Sequence, residues 1–258
     1  MQGPQPTSDR AEVSSGCDAG IVFAVPVEAD AFERLVTNRV ETRSAAVVFH
    51  EGLVQGRRVA WCVAGVGGPA ADAATRLLIA GHRPAIVISA GFAGAIDAGI
   101  SRGSVVRPCR SVDAAGRGEV SLWVGGGTAP GDATIVTVEQ VVATVEAKRR
   151  LHEQTGAQIV DMETHAVAHA ALSAGLPCGC VRVVSDDASQ ELPREIDSLA
   201  RPQSAWRRAG AAIAAIGRRP GAAADLWRLW EHAVVDGRSL AHALVATLEA
   251  LPGKPLRP

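Results

Sequence analysis

The stretch PAIVISAGFAGAID, from Pro84 to Asp97, constrains this chain more than any other, because its first half is almost uninterruptedly apolar before it dissolves into glycine and alanine. A strand covered on one face alternates apolar and polar residues; a strand without alternation needs cover on both faces. Ile21 to Val25 and Val181 to Val184 are further runs of this kind. Helical patterns lie between them. Ala29, Phe32 and Leu35 follow the first run at helical spacing, Pro69 to Gly81 carries a proline in its first turn and a glycine at its end, and THAVAHAALSAG supplies a strong helix before the last run. Gly52 and Gly56 lie near the bend of a predicted hairpin. Gly103 to Pro108 and Val120 to Gly125 read as further strands, and Thr137 to Gly156 as polar connecting structure with a short helix. Strands alternating with helices imply an α/β sheet with helices on both faces.

No internal repeat or long linker divides the chain, so residues 20–251 read as one domain between a disordered tail at 1–19 and a short tail at 252–258. The balance of 26 Lys and Arg against 27 Asp and Glu offers no field to hold a polyanion, and the aromatics, five Trp and four Phe with no Tyr, are too few for a base-stacking surface. We expect no nucleic-acid partner and, since no run approaches a bilayer-spanning length, no membrane partner. No secretory signal is present, and five irregularly spaced cysteines suit a reducing cytosol, so a cytoplasmic location is expected. Cys178 and Cys180 are too closely spaced for the usual zinc site, and Asp161, His165 and His169, four apart on one helix face, lack a fourth ligand. Neither metal nor cofactor is expected.

In such sheets ligands collect beyond the carboxyl ends of the strands. Val27-Glu28, Gly65 to Gly68, Gly91 to Gly94 and Ser185 to Asp187 stand there as loops, with Asp161-Met162-Glu163 where a strand passes into a helix. The acids could serve general acid/base chemistry; Asp161 and Glu163 could equally be helix-start acids, and Asp186 and Asp187 could end a strand in a turn.

In order, GIVFAVPVEAD, VAGVGGPAADAATRLL, ISAGFAGAIDAGISRGSVV, VDMETHAVAHAA and VRVVSDDA resemble the nucleoside phosphorylase and nucleosidase superfamily, and most closely its 5′-methylthioadenosine/S-adenosylhomocysteine nucleosidases. The resemblance implies a three-layer α/β/α sandwich with a mixed, partly barrel-like central sheet, a homodimer, and a small purine nucleoside as substrate. It assigns Glu28 to the base that activates water, and Asp186 to the acid that protonates the leaving purine, with burial keeping its proton near neutral pH. Glu163 would grip the ribose 2′-hydroxyl, Met162 would pack beneath the sugar, and Val66, Gly67, Gly91, Phe92 and Ala93 would line the floor. Arg182 would pair structurally with a nearby acid.

Phosphorolysis calls for arginines around a phosphate dianion. PVEADAF and VISAG carry none where the superfamily's phosphorylases place them, so water is the expected nucleophile. The alternative is phosphorolysis: Phe92 replaces the serine common in the Gly-x-Ala-Gly segment, which with TVEQVV and an arginine-rich C-terminus resembles a branch that includes hopanoid-associated phosphorylases, and Arg102, Arg107 or Arg110 could turn toward an anion. A third reading is a nucleoside-binding module with little turnover, against which the three acids speak. Near the C-terminus Gly217 and Gly237 read as helix stops, and Trp206, Trp227 and Trp230 as a packing stripe. Between Asp97 and Val160 the only aromatic available for a base-pocket wall is Trp123.

Overall fold

A computed structural model describes residues 16–44, 47–125, 133–192 and 222–253. Strand β1 (Ala19–Phe23) leads into α1 (Pro26–Glu33), and the chain returns through β2 (Thr37–Arg43), β3 (Val48–Val54) and β4 (Arg57–Val63) to α2 (Gly68–His82). Then come β5 (Ile86–Ala95), β6 (Val105–Val106), β7 (Arg110–Asp113), β8 (Glu119–Ser121) and β9 (Thr134–Thr137). After α3 (Val145–Thr155), β10 (Ile159–Asp161), α4 (Thr164–Ser173) and β11 (Cys178–Asp186), the helix Ala222–Glu249, α5, closes the described chain.

The strands form one mixed sheet in the order β2-β3-β4-β1-β5-β10-β9-β7-β8, with β11 pairing β5 and β6. Its apolar strands are covered on both faces. Val22, Val87, Cys178, Cys180 and Val184 face a core shared with Ala71, Leu78, Val167 and Ala171 of α2 and α4. Their neighbours Ile21, Phe23, Ile88, Val181 and Val183 face the opposite core, with Phe32 of α1, Trp61 of β4 and Leu240, Leu244 and Leu248 of α5. The unbroken apolarity of these strands follows from the two helical layers.

The sheet divides at β5, and that division creates the site. Parallel pairing with β1 runs from Ile86 to Ser89 and stops. Antiparallel pairing with β10 begins at Gly94 and Ala95, whereas β11 follows the other edge from Val87 to Gly94. Between the departure of β1 and the arrival of β10, one edge of β5 is left to hydrogen-bond with side chains. Ligand crevices of α/β sheets arise where neighbouring strands part in this way.

Several elements differ from the sequence expectations. Gly91 to Gly94 is not a loop: β5 runs through Ala95, and the glycines admit side chains close to the strand. A Cβ on Gly91 would lie 2.4 Å from Glu28 Oε1, and one on Gly94 would lie 3.0 Å from Asp186 Oδ2. Ser185 and Asp186 likewise belong to β11, where the register shifts between Val184 and Asp186. Helix α2 passes Gly81 and ends on Arg83 in the left-handed conformation. Helix α5 runs through Gly237, whose missing side chain allows it to approach Val27 O, 3.1 Å from an added Cβ. The ordered body starts before residue 20, since Cys17 is buried and its amide donates to His82 O. Gly217 and Trp206 lie outside the described residues, as do the side chains of Trp227 and Trp230.

Gly91 provides a direct test of the close approach. Gly91→Ala is expected to displace the Glu28 carboxyl and lower kcat on any substrate of this site by roughly 10²-fold or more, the scale of a misplaced catalytic group. Steady-state kinetics with a thermal melt checks it, and an alanine variant with unchanged kcat would show that Glu28 need not stay where it is.

Candidate active site

A cavity of about 200 Å³ opens at the division of the sheet, lined by Glu28, Val66, Phe92, Ala93, Met162, Glu163 and Asp186 together with Ala24, Val25, Gly94, Val138, Val141, Val142, Val160, Asp161, Ser185 and Leu192. Residues from opposite ends of the sequence are thus brought together. Gly67 and Gly91, two of the residues assigned to the floor, are not part of this lining: Gly67 holds an acid through its amide, and Gly91 leaves room for one. Gly67, with φ of 98°, turns its amide to donate to Glu163 Oε1 at 2.7 Å. Few L residues adopt that φ without strain.

Glu28 is the third residue of α1 and reaches back as capping-box acids do. Its Oε2 accepts from the amides of Ala24 (2.9 Å) and Val25 (3.0 Å), and its Oε1 accepts from the Phe92 amide on the freed edge of β5 at 2.8 Å. Burial pushes its carboxyl above the usual glutamate range, against the pull of the Arg182 guanidinium and these amides. A buried carboxyl with a raised pKa, held by fixed donors, suits a base working near neutrality.

Asp161 and Glu163 divide the roles that their sequence positions left open. Asp161 is the helix-start acid: its Oδ2 accepts from the Thr164 amide (2.9 Å) and hydroxyl (2.6 Å), and its Oδ1 from the Thr137 hydroxyl at 2.7 Å. Arg182 NH2 donates to Asp161 Oδ2 at 2.7 Å, and also to Ser89 Oγ and Thr164 Oγ1. The structural pairing expected of Arg182 is therefore present. Its Nε and NH1 are buried without a hydrogen-bond partner, and NH1 lies 3.1 Å from the point where a Gly91 Cβ would meet Glu28. That leaves unspent donors beside the Glu28 carboxyl.

Glu163 makes no cap bond to its own helix and faces the cavity. Burial and the neighbouring Asp161 push it up to about 8, with the Gly67 amide and Arg182 pulling the other way. Below about pH 4.5 Glu163 is protonated both folded and unfolded; as pH rises toward 8 only the unfolded chain ionises, so its contribution to stability falls across that interval. Glu163→Gln keeps an oxygen for Gly67 and removes the penalty. Its melting temperature should match the parent near pH 4.5 and exceed it at pH 8.5, by up to a few kcal/mol of stability; a pH-independent difference would contradict this.

Asp186 does not stand alone in an apolar setting. Lys148 of α3, itself fully buried, donates from Nζ to Asp186 Oδ2 at 2.5 Å, to Asp187 O at 2.7 Å and to Gln190 O at 3.0 Å. Ser185 Oγ donates to Asp186 Oδ1 at 2.7 Å. Burial alone, the basis on which Asp186 was expected to carry a proton, is thus replaced by an ion pair. Lys148 was missed because AKRRLHE reads as a solvated charged helix; its spacing three before Leu151, on the apolar stripe, was the available signal.

The arginines that could have turned toward an anion are committed elsewhere. Arg102 donates to Ser185 O and Asp236 Oδ2, Arg107 to Ala243 O and Thr247 Oγ1, and Arg110 lies 3.8 Å from Glu119. Phe92 is the aromatic of the lining among the described residues; the remaining wall is aliphatic, from Val138, Val141, Val142 and Leu192. Trp123 instead bridges to Gly179 away from the cavity. Asp161 turns to Arg182 while His165 turns to Ser111, so the Asp-His-His stripe does not converge. Burial raises the Cys62 thiol to about 12 and Cys180 to about 11, which leaves them poor nucleophiles. No described helix is long and apolar enough to cross a membrane.

Comparison with known proteins agrees with this architecture. A curated 5′-methylthioadenosine/S-adenosylhomocysteine nucleosidase of Actinobacillus succinogenes is 27% identical over 194 residues, covering 65% of this chain and 84% of the relative. A Helicobacter pylori nucleosidase variant, solved with 5′-methylthioadenosine in its active site, superposes with a TM-score of 0.68 at 16% identity, over 91% of this chain and 99% of that one. Futalosine hydrolase of Helicobacter pylori superposes with a TM-score of 0.67 at 15% identity, over 90% and 97%. Residues 18–132 and 129–219 match the family described as Phosphorylase superfamily. Matched over more than half its length, the chain belongs to the phosphorylase superfamily.

Proposed function

We propose that this chain hydrolyses the N-glycosidic bond of an adenine nucleoside of the 5′-methylthioadenosine or S-adenosylhomocysteine type. The substrate class is that of the nucleosidases it resembles in sequence and fold. One observation carries the choice of water over phosphate: the described cavity lining holds four carboxyl groups, Glu28, Asp161, Glu163 and Asp186, and neither lysine nor arginine. A phosphate dianion would find no arginine fork in that lining to hold it.

Cleavage builds positive charge on the ribosyl ring and negative charge on the departing purine. Glu28 takes a proton from the attacking water, with its raised pKa in its favour. Glu163 hydrogen-bonds the ribose while protonated and opposes the ring's positive charge when ionised. Met162 supplies an adaptable apolar surface beneath the sugar. Phe92 gives the purine a ring to pack on, and the valines of the same lining add aliphatic surface. Asp186 delivers a proton to the leaving base. A homodimer in the cytoplasm is part of the same proposal and rests on the resemblance to nucleosidases.

Incubating purified protein with 5′-methylthioadenosine in phosphate-free buffer should release adenine and the free thio-sugar at a rate that added phosphate leaves unchanged. Release that requires phosphate would establish the phosphorylase alternative, and binding without release from any purine nucleoside would leave a binding module.

A further inference from the structure

The ion pair behind Asp186 raises a chemical problem. An acid that must hand a proton to a leaving purine is in hydrogen-bond contact with an ammonium group, and an opposite charge favours a carboxyl in its ionised state. Lys148 is not a solvated side chain that drifted there: it is fully buried, and all its donors are used, on Asp186 Oδ2, Asp187 O and Gln190 O. Thr144 fixes its helix by accepting from the Ala147 amide at 3.2 Å. From the opposite side Arg102 holds the same segment, with its amide on Asp187 Oδ1 and its side chain on Ser185 O. The carboxyl is held firmly, and the donor closest to it is Lys148 Nζ, at 2.5 Å against 2.7 Å for Ser185 Oγ.

We propose that the proton delivered to the leaving base is drawn from the Lys148–Asp186 pair, with Lys148 a positioning residue that acts only through Asp186. As the bond from C1′ to the purine breaks, its electron pair passes to the purine. Lys148 Nζ passes its proton to the Asp186 carboxylate at Oδ2, and Asp186 passes one proton on to a purine nitrogen. Asp186 ends as a carboxylate and Lys148 as a neutral amine, which regains its proton from solvent once the base has left. This inference rests on the hydrolytic reading and adds the source of the proton.

The test compares Lys148→Arg, Lys148→Met, Asp186→Asn and the Lys148→Met/Asp186→Asn double variant on 5′-methylthioadenosine between pH 5 and 10, with a thermal melt of each. Arginine keeps the ion pair but cannot give up a proton in a protein. Lys148→Arg should therefore fold like the parent, hold KM within about threefold and lose kcat by roughly 10²-fold, the scale of general-acid catalysis. In Lys148→Met the alkaline limb of kcat should move toward lower pH by about one unit or more, and the double variant should be no slower than Asp186→Asn alone. An arginine variant as active as the parent, an unmoved alkaline limb in a folded methionine variant, or additive losses in the double variant would each overturn the inference while hydrolysis stands. A parent protein that releases no base overturns the hydrolytic reading and this inference with it.

Discussion

Glu28→Gln is expected to lower kcat on an adenine nucleoside by roughly 10²–10⁴-fold, the range of a lost general base. The substitution removes more than a proton acceptor. The parent carboxylate accepts from Ala24 and Val25 on one oxygen and from Phe92 on the other. An amide has a single oxygen, so its NH2 group must face backbone donors on one of these sides. Leaving such a donor unsatisfied costs about 1–3 kcal/mol, partly offset by relief of the buried charge. The variant should therefore be nearly inactive and only modestly less stable. In the parent, activity needs ionised Glu28, so the acid limb of kcat/KM should lie above the ordinary glutamate range because burial raises this carboxyl. An acid limb in the ordinary range, or a glutamine variant with kcat within about tenfold of the parent, would remove Glu28 from the base role.

Arg182→Met should be the most destabilising single change at the site, by about 3–5 kcal/mol, the cost of stripping one partner from a buried ion pair. Both side chains of the Arg182–Asp161 pair are almost wholly buried, at 3% and 1% exposure. Asp161 would keep its threonine donors but lose its countercharge, and α4 would start from an uncompensated carboxylate. Arg182→Met/Asp161→Asn, which removes both charges, should recover much of the loss. Urea unfolding of the single and double variants measures this, and a double variant less stable than Arg182→Met would show that Asp161 is not what Arg182 compensates. The same pair explains why Glu163 rather than Asp161 is free to meet a substrate. Asp161 is spent on the helix start and on Arg182, whereas among the described residues Glu163 is held only through Gly67.

Much of this arrangement could be read from the chain, and the part that could not has physical causes. Unbroken apolarity in β1, β5 and β11 implies two covering layers because pleating forces alternate side chains to opposite faces. The acids Glu28, Glu163 and Asp186 were legible because each follows or ends an apolar strand. The strand character of Gly91 to Gly94 was not legible, since glycine admits both turns and close packing; only the position of the Glu28 carboxyl against the strand distinguishes these uses. Strand β2, exposed at every residue, carries no burial pattern to announce it. Lys148 was hidden by its neighbours Arg149 and Arg150, which pair with Glu146 on the solvent side of the same helix. The scarcity of aromatics is met by the aliphatic residues that line the cavity with Phe92.

Hydrolysis is tested most directly by running the reaction in H2¹⁸O with phosphate present and determining the mass of the sugar product. Water activated by Glu28 must leave one ¹⁸O on the sugar at C1, measured before the anomeric oxygen exchanges with solvent, and no sugar 1-phosphate should form. A sugar 1-phosphate carrying no label would contradict the central claim that this carboxyl-lined cavity uses water as its nucleophile.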